Sequence, residues 1–329
     1  MGQVSDQLVN EFTDAYGQLR KKLKWHVSDE RSLIMVAALY IIKGKKLDIQ
    51  QFLDVSDYIN KNVGVFSSLK SSLRFTIATM LLLRFDNPTE KFHHYMKIYD
   101  KLVQKGFKRG NFTYISAISL LTNETKLDDL NVSIERAAEV YEEMKKRHVF
   151  LTGQSDYPLA VLLAQADRNV ESLMDETDYY YDNLSKNGFR KGNDLQFLSH
   201  VLSLQKEVDS EDLMERCSMI TDKFKEVGRS VKPMYYPALG VLALLDDGEK
   251  EVTNIMNLYD HLNKEKLFRW HKDMNFIMAI HFTVKDKVDH TSLVSTGMQT
   301  TMETILQAQQ TAMVAAMART VIIASNNNN

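Results

Sequence analysis

An aromatic residue followed three positions later by an apolar one recurs about every forty residues along this chain, and no other feature constrains its fold as strongly. The series runs Tyr99/Leu102, Tyr141/Met144, Tyr181/Leu184, Phe224/Val227 and Tyr259/Leu262. Tyr58 stands in register ahead of it, although Lys61 takes the apolar place. The intervals between anchors are 41, 42, 40, 43 and 35 residues. A period of that size marks two-helix units that cannot bury their apolar faces alone and therefore stack into a solenoid.

A second series of apolar runs lies between the anchors, at residues 33–42, 73–83, 112–121, 157–166, 195–204, 235–245 and 274–284. Periodicity does not separate a buried strand from a buried helix in so short a run. Composition does: Ala and Met are frequent, hairpin dipeptides are missing, and the chain holds only four prolines and thirteen glycines. The expected unit is an amphipathic outer helix carrying the anchor, then an apolar inner helix. Over 134–146, Ile134, Ala137, Ala138, Tyr141 and Met144 fall on one stripe, with Ser133 as the expected N-cap.

A longer repeat overlays the short one. Tyr99-Asp100-Lys101-Leu102 returns as Tyr181-Asp182-Asn183-Leu184 and Tyr259-Asp260-His261-Leu262, at offsets of 82 and 78 residues. The loop Lys105-Gly106-Phe107-Lys108-Arg109-Gly110-Asn111 returns as Asn187-Gly188-Phe189-Arg190-Lys191-Gly192-Asn193, and in degenerate form around Phe268. Alternate units carry Tyr157-Pro158 and Tyr236-Pro237, where proline suits the first turn of an inner helix. The chain is therefore expected to be all-α. Residues 1–290 would form a right-handed solenoid, an α–α superhelix of six or seven two-helix repeats with a four-helix super-repeat. Residues 291–329 would follow as a C-terminal helix rich in Met, Ala, Thr and Gln, with a polar Asn tail.

Charge and cysteine usage bound the function. The net charge is −2, so no global field draws the chain to nucleic acid. The single Cys217 fits a reducing compartment, and the first residues do not form a secretory signal, so a cytoplasmic location is expected. The stretch 311–325 is too short for a membrane span and carries Arg319. A 3–4 stripe through Met302, Ile305, Met313, Ala316 and Ile323 suits capping of the last repeat, self-association or partner binding.

Catalytic signatures are absent: there is no glycine-rich phosphate loop, no Gly-x-Ser-x-Gly and no Cys-x-x-Cys. His93-His94 lacks the spacing of a helical metal site. His200 and His281 are expected as hydrogen-bonded core histidines, and Cys217 as a buried thiol. No cofactor, metal or catalytic residue is assigned. Equivalent loops of a solenoid stack on one edge, so Lys105, Lys108 and Arg109 with Lys186, Arg190 and Lys191 would form a basic ridge able to meet phosphates or an acidic protein. The competing account is that cations and glycine simply complement helix C-termini. Three consecutive tyrosines, Tyr179, Tyr180 and Tyr181, cannot share one helix face, and Tyr180 is taken as the exposed contact.

Several of these elements together resemble an uncharacterised domain-of-unknown-function family of Gram-positive bacteria. They are Lys22-Leu23-Lys24-Trp25, the Gly-Phe-basic loops, and Thr300-Thr301-Met302-Glu303 through Gln309-Gln310. That resemblance covers nearly the whole chain and implies no activity. Residues 99–106 followed by Phe112-Thr113-Tyr114-Ile115 are similar to a hairpin of tetratricopeptide or pentatricopeptide type, and the latter family implies single-stranded RNA as a ligand. The function expected is a non-catalytic scaffold that holds a protein or peptide segment along the groove lined by one helix layer. Two other classes stand beside it: single-stranded RNA binding along the basic ridge, and an enzyme housed in a closed helical ring.

Overall fold

The computed structural model describes residues 2–27, 29–122, 127–166, 168–288, 302, 304–309 and 311, and among them every regular element is helical. Seven helix pairs follow one another. They are α1 (Gly2–Leu23) with α2 (Arg31–Ile42), α3 (Ile49–Lys61) with α4 (Leu73–Arg84), and α5 (Pro88–Gln104) with α6 (Asn111–Thr122). Next come α7 (Leu127–Arg147) with α8 (Tyr157–Ala164), α9 (Val170–Lys186) with α10 (Asn193–Leu202), α11 (Ser210–Glu226) with α12 (Tyr236–Ala243), and α13 (Val252–Lys264) with α14 (Lys272–Val288).

The two layers follow from composition. Odd-numbered helices bury one stripe and turn charges outward, as amphipathic helices do. In α3 the stripe is Phe52, Val55, Ser56 and Ile59. Even-numbered helices have no polar face: α8 and α12 bury every residue, and α2 buries all of 32–42. A helix apolar all round must be covered all round. Each inner helix packs on its own outer helix and on the inner helices before and after it, and α14 packs on α2 while α13 meets α1. The solenoid therefore closes into a ring.

Aromatic side chains carry the closure. Phe12 stacks on Phe268 at 4.6 Å and meets Phe282 edge-on at 5.1 Å, and Tyr16 lies 5.2 Å from Phe268. Tyr16/Leu19 is itself an anchor pair 42 residues before Tyr58, so the aromatic series begins one unit earlier than expected.

The marks of the longer repeat are two halves of one clasp. Phe107 lies 4.6 Å from the Tyr157 ring, while the Lys108 N–H donates to the Tyr157 hydroxyl at 3.1 Å. In the next super-repeat Phe189 lies 5.0 Å from Tyr236, and the Arg190 N–H donates to its hydroxyl at 3.0 Å. Gly106 and Gly188 turn the chain at φ values of 109° and 92°, a region that residues with a Cβ avoid. The third copy, Phe268, has the N-terminal pair as its neighbour.

Arginine ties outer to inner helices. Arg136 of α7 donates through Nε to the Ala164 carbonyl and through Nη2 to that of Ala166, both at 2.8 Å, and also reaches the Arg168 carbonyl. Arg216 of α11 repeats the contact on the Leu245 carbonyl at 3.1 Å. Both occupy helix C-terminal carbonyls that would otherwise lack donors. Ser133 is no N-cap: α7 begins at Leu127, and the Ser133 hydroxyl donates back to the Asp129 carbonyl at 2.8 Å.

The C-terminal segment lies inside the ring. Residues 302, 304–309 and 311 are helical and buried on every side, which leaves no exposed face on them. The Thr304 and Ser119 hydroxyls are 2.8 Å apart, and the Gln309 amide donates to the Met234 carbonyl at 2.7 Å. Ser119 belongs to α6 and Met234 leads into α12, helices nearly opposite each other around the ring. Met313, Ala316, Ile323 and the final Asn run lie outside the described residues.

Phe268 is buried at the closing seam. Replacing it with Ala is expected to cost about 3–5 kcal/mol, whereas Phe150→Ala, at an exposed position, should change stability by less than about 0.5 kcal/mol. Urea unfolding of the two variants beside the parent checks both values.

Candidate functional site

Because all outer helices run one way and all inner helices the other, the seven outer-to-inner connections gather on one edge of the ring. They are residues 24–30, 62–72, 105–110, 148–156, 187–192, 227–235 and 265–271. Their cations are Lys24, Lys70, Lys105, Lys108, Arg109, Arg190, Lys191, Arg229, Lys232, Lys266 and Arg269. Only Asp29, Glu30, Asp156 and Glu265 oppose them. Of these, Asp29 is paired with Arg31 at 2.7 Å, Glu30 with Arg20 at 2.8 Å, and Asp156 is buried. The opposite edge is near balance, with Asp48, Asp86, Glu207, Asp209, Asp246, Asp247, Glu249 and Glu251 in its described connections against Lys43, Lys45, Lys46, Arg168, Lys206 and Lys250. The near-neutral net charge therefore conceals a cation excess gathered on one edge.

The basic edge also carries most of the exposed apolar bulk. Phe66, Phe150, Trp25 and Trp270 are 101%, 98%, 86% and 79% exposed, with Val65, Val149 and Val227 beside them. Among the described residues only Val132, Tyr179 and Met219 are comparably exposed large hydrophobics elsewhere, all on outer helices. Scattered surface hydrophobics are ordinary, but this concentration on one edge is not.

The structure places Lys105, Lys108, Arg109, Lys186, Arg190 and Lys191 exposed on this rim, as two separate basic loops with the aromatic loop 148–156 between them. Lys105 is engaged with Glu135 at 2.9 Å. Tyr180 requires a correction: it is fully buried, and Tyr179 is the exposed member of the triplet. Leu173, Thr177, Tyr180 and Leu184 follow one another at spacings of three and four, which turns Tyr180 inward. The exposed rim aromatics were missed by sequence reasoning, since they lie in loops outside any helical stripe.

A cleft of about 510 Å³ opens on the same rim between 187–189 and 228–231, lined by Phe189, Thr221, Lys225, Arg229, Ser230 and Tyr236. Arg229 is held rigidly there. It donates to the Tyr259 and Tyr235 hydroxyls, both at 3.0 Å, and its guanidinium lies 4.6 Å from the Tyr259 ring and 4.7 Å from that of Phe276. Tyr235 donates in turn to Asp273, which Lys232 reaches at 2.7 Å. Burial would raise the Asp273 carboxyl, but these two hydrogen bonds hold it below the usual range.

The ring interior is polar in places without being acidic. Neither ring nitrogen of His281 has a hydrogen-bond partner, His200 Nδ1 has none, and both amide atoms of Gln307 are likewise unpaired. The expected core histidines are thus buried but not satisfied. Among the described residues no group of three or more His, Cys, Asp or Glu is placed to hold a metal ion, and the buried carboxylates are Asp156 and Glu251. His93 spends Nε2 on the Tyr58 hydroxyl at 2.7 Å. Cys217 is fully buried, which pushes its thiol up to about 12. No helix among the described residues is long and apolar enough to cross a membrane.

The model of a family described as "Protein of unknown function (DUF4003)" matches residues 15–311. The chain is also 36% identical over 307 residues to "Uncharacterized protein YeaA" of Bacillus subtilis (strain 168), an alignment covering 93% of this chain and 92% of that protein. No solved structure matches the chain.

The interior histidines set an acid sensitivity. Burial lowers His281 from 6.5 to about 4 and His200 to about 3. Between the ordinary histidine value and these lowered ones the unfolded chain binds protons that the folded chain does not. Stability is therefore lost as pH falls through that window. Asp156, raised to about 6 by burial, acts in the opposite direction, so one site must be isolated. His281→Leu is expected to reduce the stability lost between about pH 7 and pH 5 by about 1–2 kcal/mol. Urea unfolding of parent and variant at both pH values measures it.

Proposed function

The chain belongs to the DUF4003 family, and from that premise we propose that it is a non-catalytic interaction scaffold whose working surface is the loop rim. One observation carries this reading: the four most exposed aromatic side chains of the described structure, Trp25, Phe66, Phe150 and Trp270, coincide with a cation excess on a single edge. Aromatic and Arg side chains standing free of their own fold are the groups that most often anchor a partner. The interior groove expected for a partner segment is taken by residues 302, 304–309 and 311 of the chain itself, so binding moves from the helix layer to the rim.

A cytoplasmic setting accords with the lone reduced Cys217. The closed ring gives the enzyme reading its required architecture. Its described interior, however, supplies few groups for acid–base work, which favours the binding reading. RNA binding keeps one supporting observation, the alternation of aromatic and basic loops over the four consecutive connections 62–72, 105–110, 148–156 and 187–192.

The rim reading is tested by affinity capture with the full chain, with and without nuclease, using two charge-reversed variants. Lys108→Glu/Arg109→Glu/Arg190→Glu/Lys191→Glu alters the rim, and Asp246→Lys/Asp247→Lys/Glu249→Lys alters the opposite edge. Loss of capture with the first variant and retention with the second is the expected result. Equal capture by both variants and the parent would remove the rim as the working surface.

A further inference from the structure

We infer that the loop rim seats the ring on an anionic lipid bilayer, with the aromatic tips in the interfacial layer and the basic loops against the headgroups. This rests on the rim being the working surface and names its partner.

The tips choose between a bilayer and a polymer. Trp270, Trp25 and Phe66 stand on three consecutive connections across the seam and Phe150 on a fourth, beyond the basic loop 105–110, each free of its own fold. A peptide or a nucleic acid strand runs along a groove and needs its stacking platforms in sequence along that groove. Phe150 stands apart from the other three, and a surface that extends under the whole edge engages all four tips and the basic loop between them at once. Trp and Phe are residues that settle at the boundary between headgroups and acyl chains.

Charge completes the complementarity. The two Trp tips carry their own cations, Lys24 Nζ lying 4.8 Å from the Trp25 ring and the Arg269 guanidinium 5.2 Å from Trp270. A cation over an indole brings apolar bulk and positive charge to the same depth. The basic loops at Lys108 and Arg109 and at Arg190 and Lys191 alternate with the aromatic ones. Each cation near an anionic surface strengthens partition by roughly fivefold. Because the cation excess is confined to the rim, while the opposite edge is near balance and the outer helices carry an excess of carboxylates, an anionic surface attracts the rim in preference to the other faces, which orients the ring rim-down before contact. A neutral average charge hides this from any whole-chain measure.

The test is co-sedimentation of the full chain with vesicles of phosphatidylcholine alone and of phosphatidylcholine mixed with phosphatidylglycerol. An oligouridine anisotropy titration runs alongside. Two variants accompany the parent: Trp25→Ser/Phe66→Ser/Phe150→Ser/Trp270→Ser, and the rim charge reversal above. All substituted side chains are exposed, and thermal unfolding checks that each variant is folded. The expected result is binding to the anionic vesicles about tenfold or more tighter than to the neutral ones. The aromatic variant should lose about tenfold or more even at low salt, and the charge-reversed variant should lose a similar or larger factor that added salt reproduces in the parent. Absence of partition into anionic vesicles overturns the inference, as does undiminished binding of the aromatic variant. Oligouridine binding that depends on the rim, with no vesicle binding, overturns the bilayer while leaving the rim as working surface. If neither variant alters capture, vesicle or oligouridine binding, the rim reading falls as well.

Discussion

Everything in this fold follows from seven helices that have no side fit for water. An inner helix such as α2, buried from Ser32 to Ile42, needs cover from its outer partner, from two lateral neighbours and from the lumen. An open solenoid would give the first and last inner helices only one lateral neighbour each, and capping repeats with a polar outer face usually answer that problem. Here α2 and α14 answer it by covering each other, and Phe12, Phe268 and Phe282 form the seam. Each such side chain removed from water contributes about 1.5–3 kcal/mol, so closure stabilises both ends through one set of contacts. The lumen demand is met by residues 302, 304–309 and 311, which is why these helical residues are buried on all sides instead of one.

Closure also decides what remains for partners. A solenoid ordinarily offers its concave layer, but a closed and filled ring offers only an outer wall and two edges. The wall is largely satisfied by its own charges. Arg147 bridges from α7 to Asp175 and Asp178 of α9 at 2.6 and 2.8 Å, and His148 joins Asp178 at 2.7 Å. Such exposed pairs contribute little stability each, and the outer helices that form the wall keep an acidic excess of 24 Asp and Glu over 16 Lys and Arg. The edges differ because connections, unlike helices, are free of packing constraints and can collect residues of one kind.

The sequence disclosed what local periodicity can encode. Anchors such as Tyr99 and Tyr181 marked the outer helices and their buried faces, and the tyrosine-proline pairs marked inner starts. The Gly-Phe loops and Tyr157 or Tyr236 were visible as two repeats. Only packing shows that Phe107 and Phe189 are the partners of those tyrosines, since about fifty residues separate the halves of each clasp. Closure was illegible for a related reason: it is a sum of small rotations over seven pairs, and no single residue states it. Tyr180 was misplaced by judging the triplet alone, when Leu173, Thr177 and Leu184 already fix which tyrosine faces inward. Trp25, Phe66 and Phe150 did leave a signal, an aromatic in a stretch without helical pattern, but a search for stripes passes over it.

The segment inside the ring is held by two kinds of force of unequal quality. Its apolar side chains, Met302, Ile305, Leu306 and Ala308, fill space without specifying register. Register comes from the Ser119–Thr304 and Gln309–Met234 hydrogen bonds. Against these stand Gln307 and His281, buried with unpaired polar atoms, and each such atom carries a desolvation penalty of about 1–3 kcal/mol. An apolar lumen of the same shape would bind the segment more tightly. The central contact is therefore specific rather than maximally stable. Met234, which receives Gln309, sits in the connection 227–235 that also presents Val227 and Arg229 on the rim. A hydrogen bond that sets the register of the interior segment and the basic edge thus share one short stretch of chain, and a load on that loop from outside bears directly on the segment within.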